Sequence, residues 1–127
     1  MVDEPIRRTV AVVEDDAPSR HALGRLLRAS GFEPALFDSA EAFIDAPPSS
    51  PLCLILDVHL TGMSGTDLQG QLRKAGSSTP IIVTTALHDA SIRHRAEANG
   101  CTAFLWKPFS CDALLSLLGS IAQNTAY

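Results

Sequence analysis

The stretch "LCLILDVHL", residues 52–60, decides the fold. Residues 52–56 are all apolar and read as a strand buried on both faces, which Asp57 then closes. A bare carboxylate moved out of water is costly unless something pairs with it. Asp57 therefore either lies just outside the core or has partners that make it useful.

Working outward, the same alternation of short apolar runs and helical segments repeats along the chain. On the amino-terminal side stand a breaker loop, "PPSSP" (47–51), and a short helix, "SAEAFIDA" (39–46). Ser39 is the N-cap expected for that helix, with Phe43 and Ile44 on one face. Further back come a short strand, "EPALFD" (33–38), and a helix in which Leu23, Leu26 and Leu27 recur at helical spacing. Pro18 marks that helix's start and Gly31 its end. "TVAVV" (9–13) is the first strand, bounded by the acidic run "EDD" (14–16).

On the carboxyl side a glycine-containing loop, "HLTGMSG" (59–65), leads to a helix carrying Leu68 and Leu72. "PIIVTT" (80–85) is the fourth strand. Residues 89–99 form a poorly amphipathic helix, whose stripe is little more than Ile92 and Ala96, ended by Gly100. "TAFLW" (102–106) is the fifth strand. Ser110 caps a last helix with Leu114, Leu115, Leu118 and Ile121 facing in. Five strands alternating with five helices imply a parallel sheet covered on both faces, an α/β doubly wound arrangement. In such sheets ligands bind at the carboxyl ends of the strands.

Composition narrows the function. The 127 residues suit one domain with one core, so a single domain spanning 1–127 is expected. A formal net charge of −4 argues against direct nucleic-acid binding, and Arg20, Arg25 and Arg28 read as a solvated helix face. No run approaches the roughly 18 apolar residues of a membrane span, and "MVDEPIRR" lacks the apolar core of a signal peptide. Cys53, Cys101 and Cys111 form no CxxC pair, and the four histidines show no metal-ligand spacing. A reduced, cytoplasmic protein is the expectation.

The strand ends collect the chemistry. Glu14, Asp15 and Asp16 follow the first strand, Asp57 ends the third, Thr84 and Thr85 the fourth, and Lys107 the fifth. Each has a bland reading alone: loop decoration, β-propensity, a surface charge. Together at one sheet edge they make a site. Clustered carboxylates call for a cation, and oxygen-only ligands select Mg²⁺. Lys107 and a threonine hydroxyl suit phosphoryl oxygens, and an aspartate among them can become an aspartyl phosphate.

The segments "VVEDDAPSR", "LILDVHLTGMSG", "IIVTTA" and "TAFLWKPF", in this order, resemble the receiver domain of two-component response regulators over essentially the whole chain. "SAEAF" and "TDLQGQLRKAGSSTPIIVTTA" are similar to FixJ-like receivers, which commonly carry a LuxR-type DNA-binding domain. The resemblance implies a flavodoxin-like five-stranded sheet of order 2-1-3-4-5. It makes Asp57 the phosphoacceptor, with Glu14, Asp15 and the backbone carbonyl of His59 joining it around Mg²⁺. Lys107 contacts the phosphoryl group. The hydroxyl ligand is ambiguous between Thr84 and Thr85; ungapped counting back from Lys107 favours Thr85, followed by the small Ala86. Phe104 falls at the switch aromatic, and Lys107–Pro108 at a cis peptide. The implied partners are a sensor histidine kinase and a phosphorylation-dependent second copy. The implied output is transcription through a domain outside this chain.

Three departures stand out. Thr61 occupies a position where the family usually has proline, which predicts a less rigid loop. Glu14 replaces the commoner aspartate and is expected to reach the metal through water. Trp106 is unusually bulky. Rival readings are a haloacid-dehalogenase-like phosphohydrolase, a flavodoxin-like FMN binder and a receiver that no longer transfers phosphoryl groups. The first lacks its second aspartate, since His59 stands there, and the second would need a phosphate loop where this chain has "EDDAP". The third would be supported by losing an acid or the lysine, and none is lost.

Overall fold

The computed structural model describes residues 8–124. Its elements run β1 (Thr9–Val13), α1 (Ala17–Ala29), β2 (Glu33–Phe37), α2 (Ala40–Asp45), β3 (Cys53–Asp57), α3 (Gly65–Lys74), β4 (Ile81–Thr85), α4 (Ala90–Ala98), β5 (Ala103–Trp106) and α5 (Cys111–Asn124). The strands form one parallel sheet in the order β2-β1-β3-β4-β5. This is the flavodoxin-like arrangement, with the central strands β1, β3 and β4 buried.

Alternation along each strand divides the core in two. Ala11, Val13, Leu54, Leu56, Ile81 and Val83 pack with Phe43, Leu68 and Ala96 of α2, α3 and α4. Val10, Val12, Cys53, Ile55 and Ile82 pack with Leu27 of α1 and with Leu114, Leu118 and Ile121 of α5. Cys53 is thus a core residue, and burial pushes its thiol up to about 12.

Local signals set the helix ends. Asp16 caps α1 by accepting the Ser19 N–H at 3.0 Å, and Ser39 caps α2 by accepting that of Ala42. Ser110 accepts the Ala113 N–H at the start of α5. Gly31 and Gly100 follow α1 and α4 at φ +90° and +77°, a left-handed turn that favours glycine. Across those turns the Phe32 N–H returns to Leu27 O and the Cys101 N–H to Ala96 O.

One face assignment is corrected. Phe43 is buried and meets Phe37 edge-on at 5.3 Å, whereas Ile44 is 43% exposed. Successive helical residues diverge by about 100°, and six residues give the pattern too little length to fix which one turns inward. The weak α4 is held largely through its carboxyl end. Gln69, fully buried on α3, donates to Ala96 O at 2.8 Å. The Arg73 guanidinium bonds the carbonyls of Ser77, Thr79, Asn99 and Gly100.

Candidate functional site

The sheet delivers its charged residues to one edge. Asp57 is the last residue of β3, held in register beside Thr84 of β4, and only 6% exposed. Glu14 follows β1 and is 2% exposed; its N–H continues the ladder by donating to Phe37 O. Lys107 follows β5, and its N–H donates to Thr85 O at 2.8 Å. From there its ammonium reaches both carboxylates, bonding Glu14 and standing 3.3 Å from Asp57 Oδ2. The Lys107–Pro108 peptide is cis.

Asp15 completes the cluster from the exposed side. One carboxylate oxygen each from Glu14, Asp15 and Asp57 lies within 4.8 Å of the others. Asp16 instead serves α1 as its cap. Two loop contacts steady the surroundings. Thr61 Oγ1 donates to Asp15 Oδ2 at 3.4 Å, and Glu41 of α2 accepts the Met63 N–H at 3.0 Å. The loop that lacks a proline is thus tied at two points. The His59 N–H points to Asp57 Oδ1 at 3.4 Å.

The electrostatics are unbalanced. Burial, then the charge of Glu14, push the Asp57 carboxyl up to about 7, with Lys107 pulling the other way. Burial disfavours the charged form of Lys107, yet its hydrogen bond to Glu14 and the charge of Asp57 still hold it above its ordinary value. One ammonium is divided between two buried carboxylates. Three acids against one lysine leave negative charge uncompensated, and all the donors are hard oxygens. A divalent cation of the Mg²⁺ type fits that donor set.

The two threonines part company. Thr84 follows the alternation of Ile82 toward α1 and α5, whereas Thr85 shares the face of Val83, with Phe104 packed against the same core. Thr85 is fully buried, and its hydroxyl accepts the Leu87 N–H at 3.1 Å. Phe104 meets Trp106 edge-on at 5.5 Å, so the two share a face as their spacing requires. Trp106 stacks on His88 at 5.0 Å, with the Arg93 guanidinium 5.4 Å from its ring.

Sequence reasoning missed Arg20. Arg25 and Arg28 are exposed, as a solvated face requires, but Arg20 is half-buried and donates to Glu14 O at 2.9 Å and Asp15 O at 3.4 Å. A basic residue one helical turn beyond an acidic loop was the available signal.

Comparison with known proteins agrees with this geometry. The response regulator receiver domain family matches residues 10–119. The transcriptional regulatory protein FixJ of Bradyrhizobium diazoefficiens is 36% identical over 116 residues, 91% of this chain and 57% of FixJ. Nodulation protein W of the same organism is 40% identical over 91% of this chain and 51% of its own length. The chain thus spans about half the length of these curated relatives. Among solved structures, the response regulator StyR superposes with a TM-score of 0.84 at 41% identity, over 93% of this chain and 60% of that one. Full-length FixJ from B. japonicum gives 0.83 at 34%, over 91% and 58%. The family match, the relatives and the sheet order agree that this chain belongs to the response regulator receiver domains and is FixJ-like among them.

Proposed function

We propose that this chain is the receiver domain of a longer cytoplasmic regulator, and that Asp57 accepts a phosphoryl group from a sensor histidine kinase. The observation that carries this reading is the junction at the end of β3, where the Lys107 ammonium and two further acids surround the buried Asp57 carboxylate. In the transfer an Asp57 oxygen forms a bond to phosphorus as the phosphorus–nitrogen bond of the donor imidazole breaks. The leaving imidazole takes up a proton. Lys107 sits where it can neutralise a phosphoryl oxygen, and Asp57 must be ionised to attack. Glu14, Asp15, Asp57 and the His59 carbonyl would hold Mg²⁺, which neutralises phosphoryl charge when bound. Release by autodephosphorylation, a phosphorylation-dependent homodimer and a transcriptional output complete the proposal. Among the described residues no helix is long and apolar enough to cross a membrane.

The labelling experiment is direct. A small phosphodonor with Mg²⁺ should add one acid-stable, base-labile phosphoryl group to the wild type and none to Asp57→Asn. The same label in the same lability class on the variant would refute the assignment.

The switch follows from the buried hydroxyl. Thr85, released from Leu87, would turn toward the phosphoryl group, and Phe104 would fill the space it leaves. Trp106, packed edge-on against Phe104, should report this repacking. With Mg²⁺ and a beryllofluoride mimic, its emission should shift in the wild type but not in Asp57→Asn. Phe104→Ala should bind the mimic yet lose much of the shift. Unchanged wild-type emission at saturating mimic would leave Trp106 as a packing residue and remove it from the switch.

A further inference from the structure

The acidic turn poses a packing problem of its own. Glu14, Asp15 and Asp16 are consecutive carboxylates that repel one another, and each has a different task. Glu14 is anchored through its N–H to Phe37 O and through its side chain to Lys107. Asp16 is anchored by its bond from the Ser19 N–H. Asp15 lies between them, exposed, with its carboxylate tied only by the long Thr61 contact of 3.4 Å among the bonds described. Its direction therefore depends on its backbone.

A residue's φ and ψ are set by the two peptide planes that flank it, because each plane is rigid. The planes flanking Asp15 carry the carbonyls of Glu14 and Asp15. A single nitrogen, Arg20 Nη1, donates to both, at 2.9 Å and 3.4 Å. Arg20 is itself fixed, since α1 carries it and its own N–H bonds Asp16 O at 2.9 Å. The guanidinium thus holds the first plane closely and reaches the second at longer range, where the Asp16 N–H also donates to Glu14 Oε2 at 3.2 Å, and these bonds together set the Cα–Cβ direction of Asp15.

We propose that Arg20 is a positioning residue for the acid cluster: it aims the Asp15 carboxylate at the oxygens of Glu14 and Asp57. This rests on the reading that those acids hold a divalent cation. It also makes a prediction opposite in sign to simple electrostatics. A cation beside the cluster repels a second cation, so if charge were all that mattered, removing Arg20 would tighten metal binding. Losing the clamp instead frees Asp15 to turn to solvent, which weakens it.

Titration with Mg²⁺ alone, followed by backbone amide shifts, separates the two. Arg20→Gln should weaken Mg²⁺ roughly ten-fold, the scale of one charge-assisted hydrogen bond. Arg20→Lys, which keeps the charge and can reach one carbonyl at a time, should fall between. Arg28→Gln removes the same charge from an exposed site on α1 and should leave the affinity unchanged or slightly tighter. Urea midpoints without Mg²⁺ give each variant's folding stability separately. Equal or tighter Mg²⁺ binding by folded Arg20→Gln would overturn the positioning role. Failure of the wild type to bind Mg²⁺ would overturn the reading of the acids beneath it, a distinguishable result.

Discussion

At pH 8 without Mg²⁺, Asp57→Asn should be more stable than the wild type, and the gain should disappear as the pH falls toward 4. The Asp57 carboxyl is pushed from 3.8 to about 7 in the fold, first by burial and then by Glu14. A carboxyl with a raised folded pKa binds protons more tightly when folded, so its contribution to stability is full below about pH 4. That contribution is lost as pH rises, and the loss is complete above about pH 7. At 1.36 kcal/mol per unit, the ionised side chain costs at most about 4 kcal/mol at pH 8, an upper bound because solvent at the strand end screens part of it. Asparagine keeps the shape without the charge. Because the amide must also face Lys107, a gain of about 2–4 kcal/mol is expected, roughly 10 °C in Tm. Mg²⁺ should narrow the difference by stabilising the wild type more than the variant, by up to about 2.7 kcal/mol at one hundred times its wild-type Kd. Thermal or urea midpoints at pH 4.5 and pH 8 check this. A variant less stable than wild type at pH 8, or a gain independent of pH, would show that desolvation and Glu14 do not burden Asp57.

That burden is why residues 52–60 are readable in the sequence. A charged residue ending an apolar run is a local conflict, and such conflicts mark functional sites. The parallel strands were legible because both faces are buried and their apolar runs are continuous. The caps at Ser39 and Ser110 were legible because a side-chain oxygen three residues before a free N–H is a local arrangement. The strand-end rule even brought Glu14 and Lys107, ninety-three residues apart, to one edge. What sequence could not supply were facts that depend on a neighbour's placement. Gln69 looks like a surface amide until α4 covers it. Arg20 looks like surface charge until the β1–α1 turn folds its carbonyls back toward α1. Thr84 and Thr85 are alike in chemistry, and where the resemblance favours Thr85 by counting, the built sheet shows which core each one faces.

Replacement of Gly65 by alanine should damage both the fold and the site, although the residue carries no side chain and bears no charge. Gly65 opens α3, and its N–H donates to Val58 O at 2.9 Å, so the helix starts directly against the end of β3. A Cβ there would lie 2.1 Å from the carbonyl oxygen of Asp57 and 2.9 Å from Val58 Cα. Both are backbone atoms of a buried strand end, which cannot swing away as a flexible side chain would. Either α3 lifts from the sheet or the Asp57–Val58 peptide is displaced. Overpacking of this kind costs about 3 kcal/mol or more, against an alanine helix preference of at most about 1 kcal/mol. Movement of that peptide also carries Asp57 away from Lys107, so surviving protein should label with a small phosphodonor much more slowly, by roughly ten-fold or more. Gly70→Ala, further along the same helix, is the matched control: its Cβ would meet only Asn99 Nδ2 at 3.8 Å, and it should be neutral or stabilising. Urea midpoints and labelling rates of the two variants test the argument together. If Gly65→Ala kept the wild-type midpoint and rate, α3 would not be what sets Asp57 in place, and the position of its carboxylate would rest on the sheet alone.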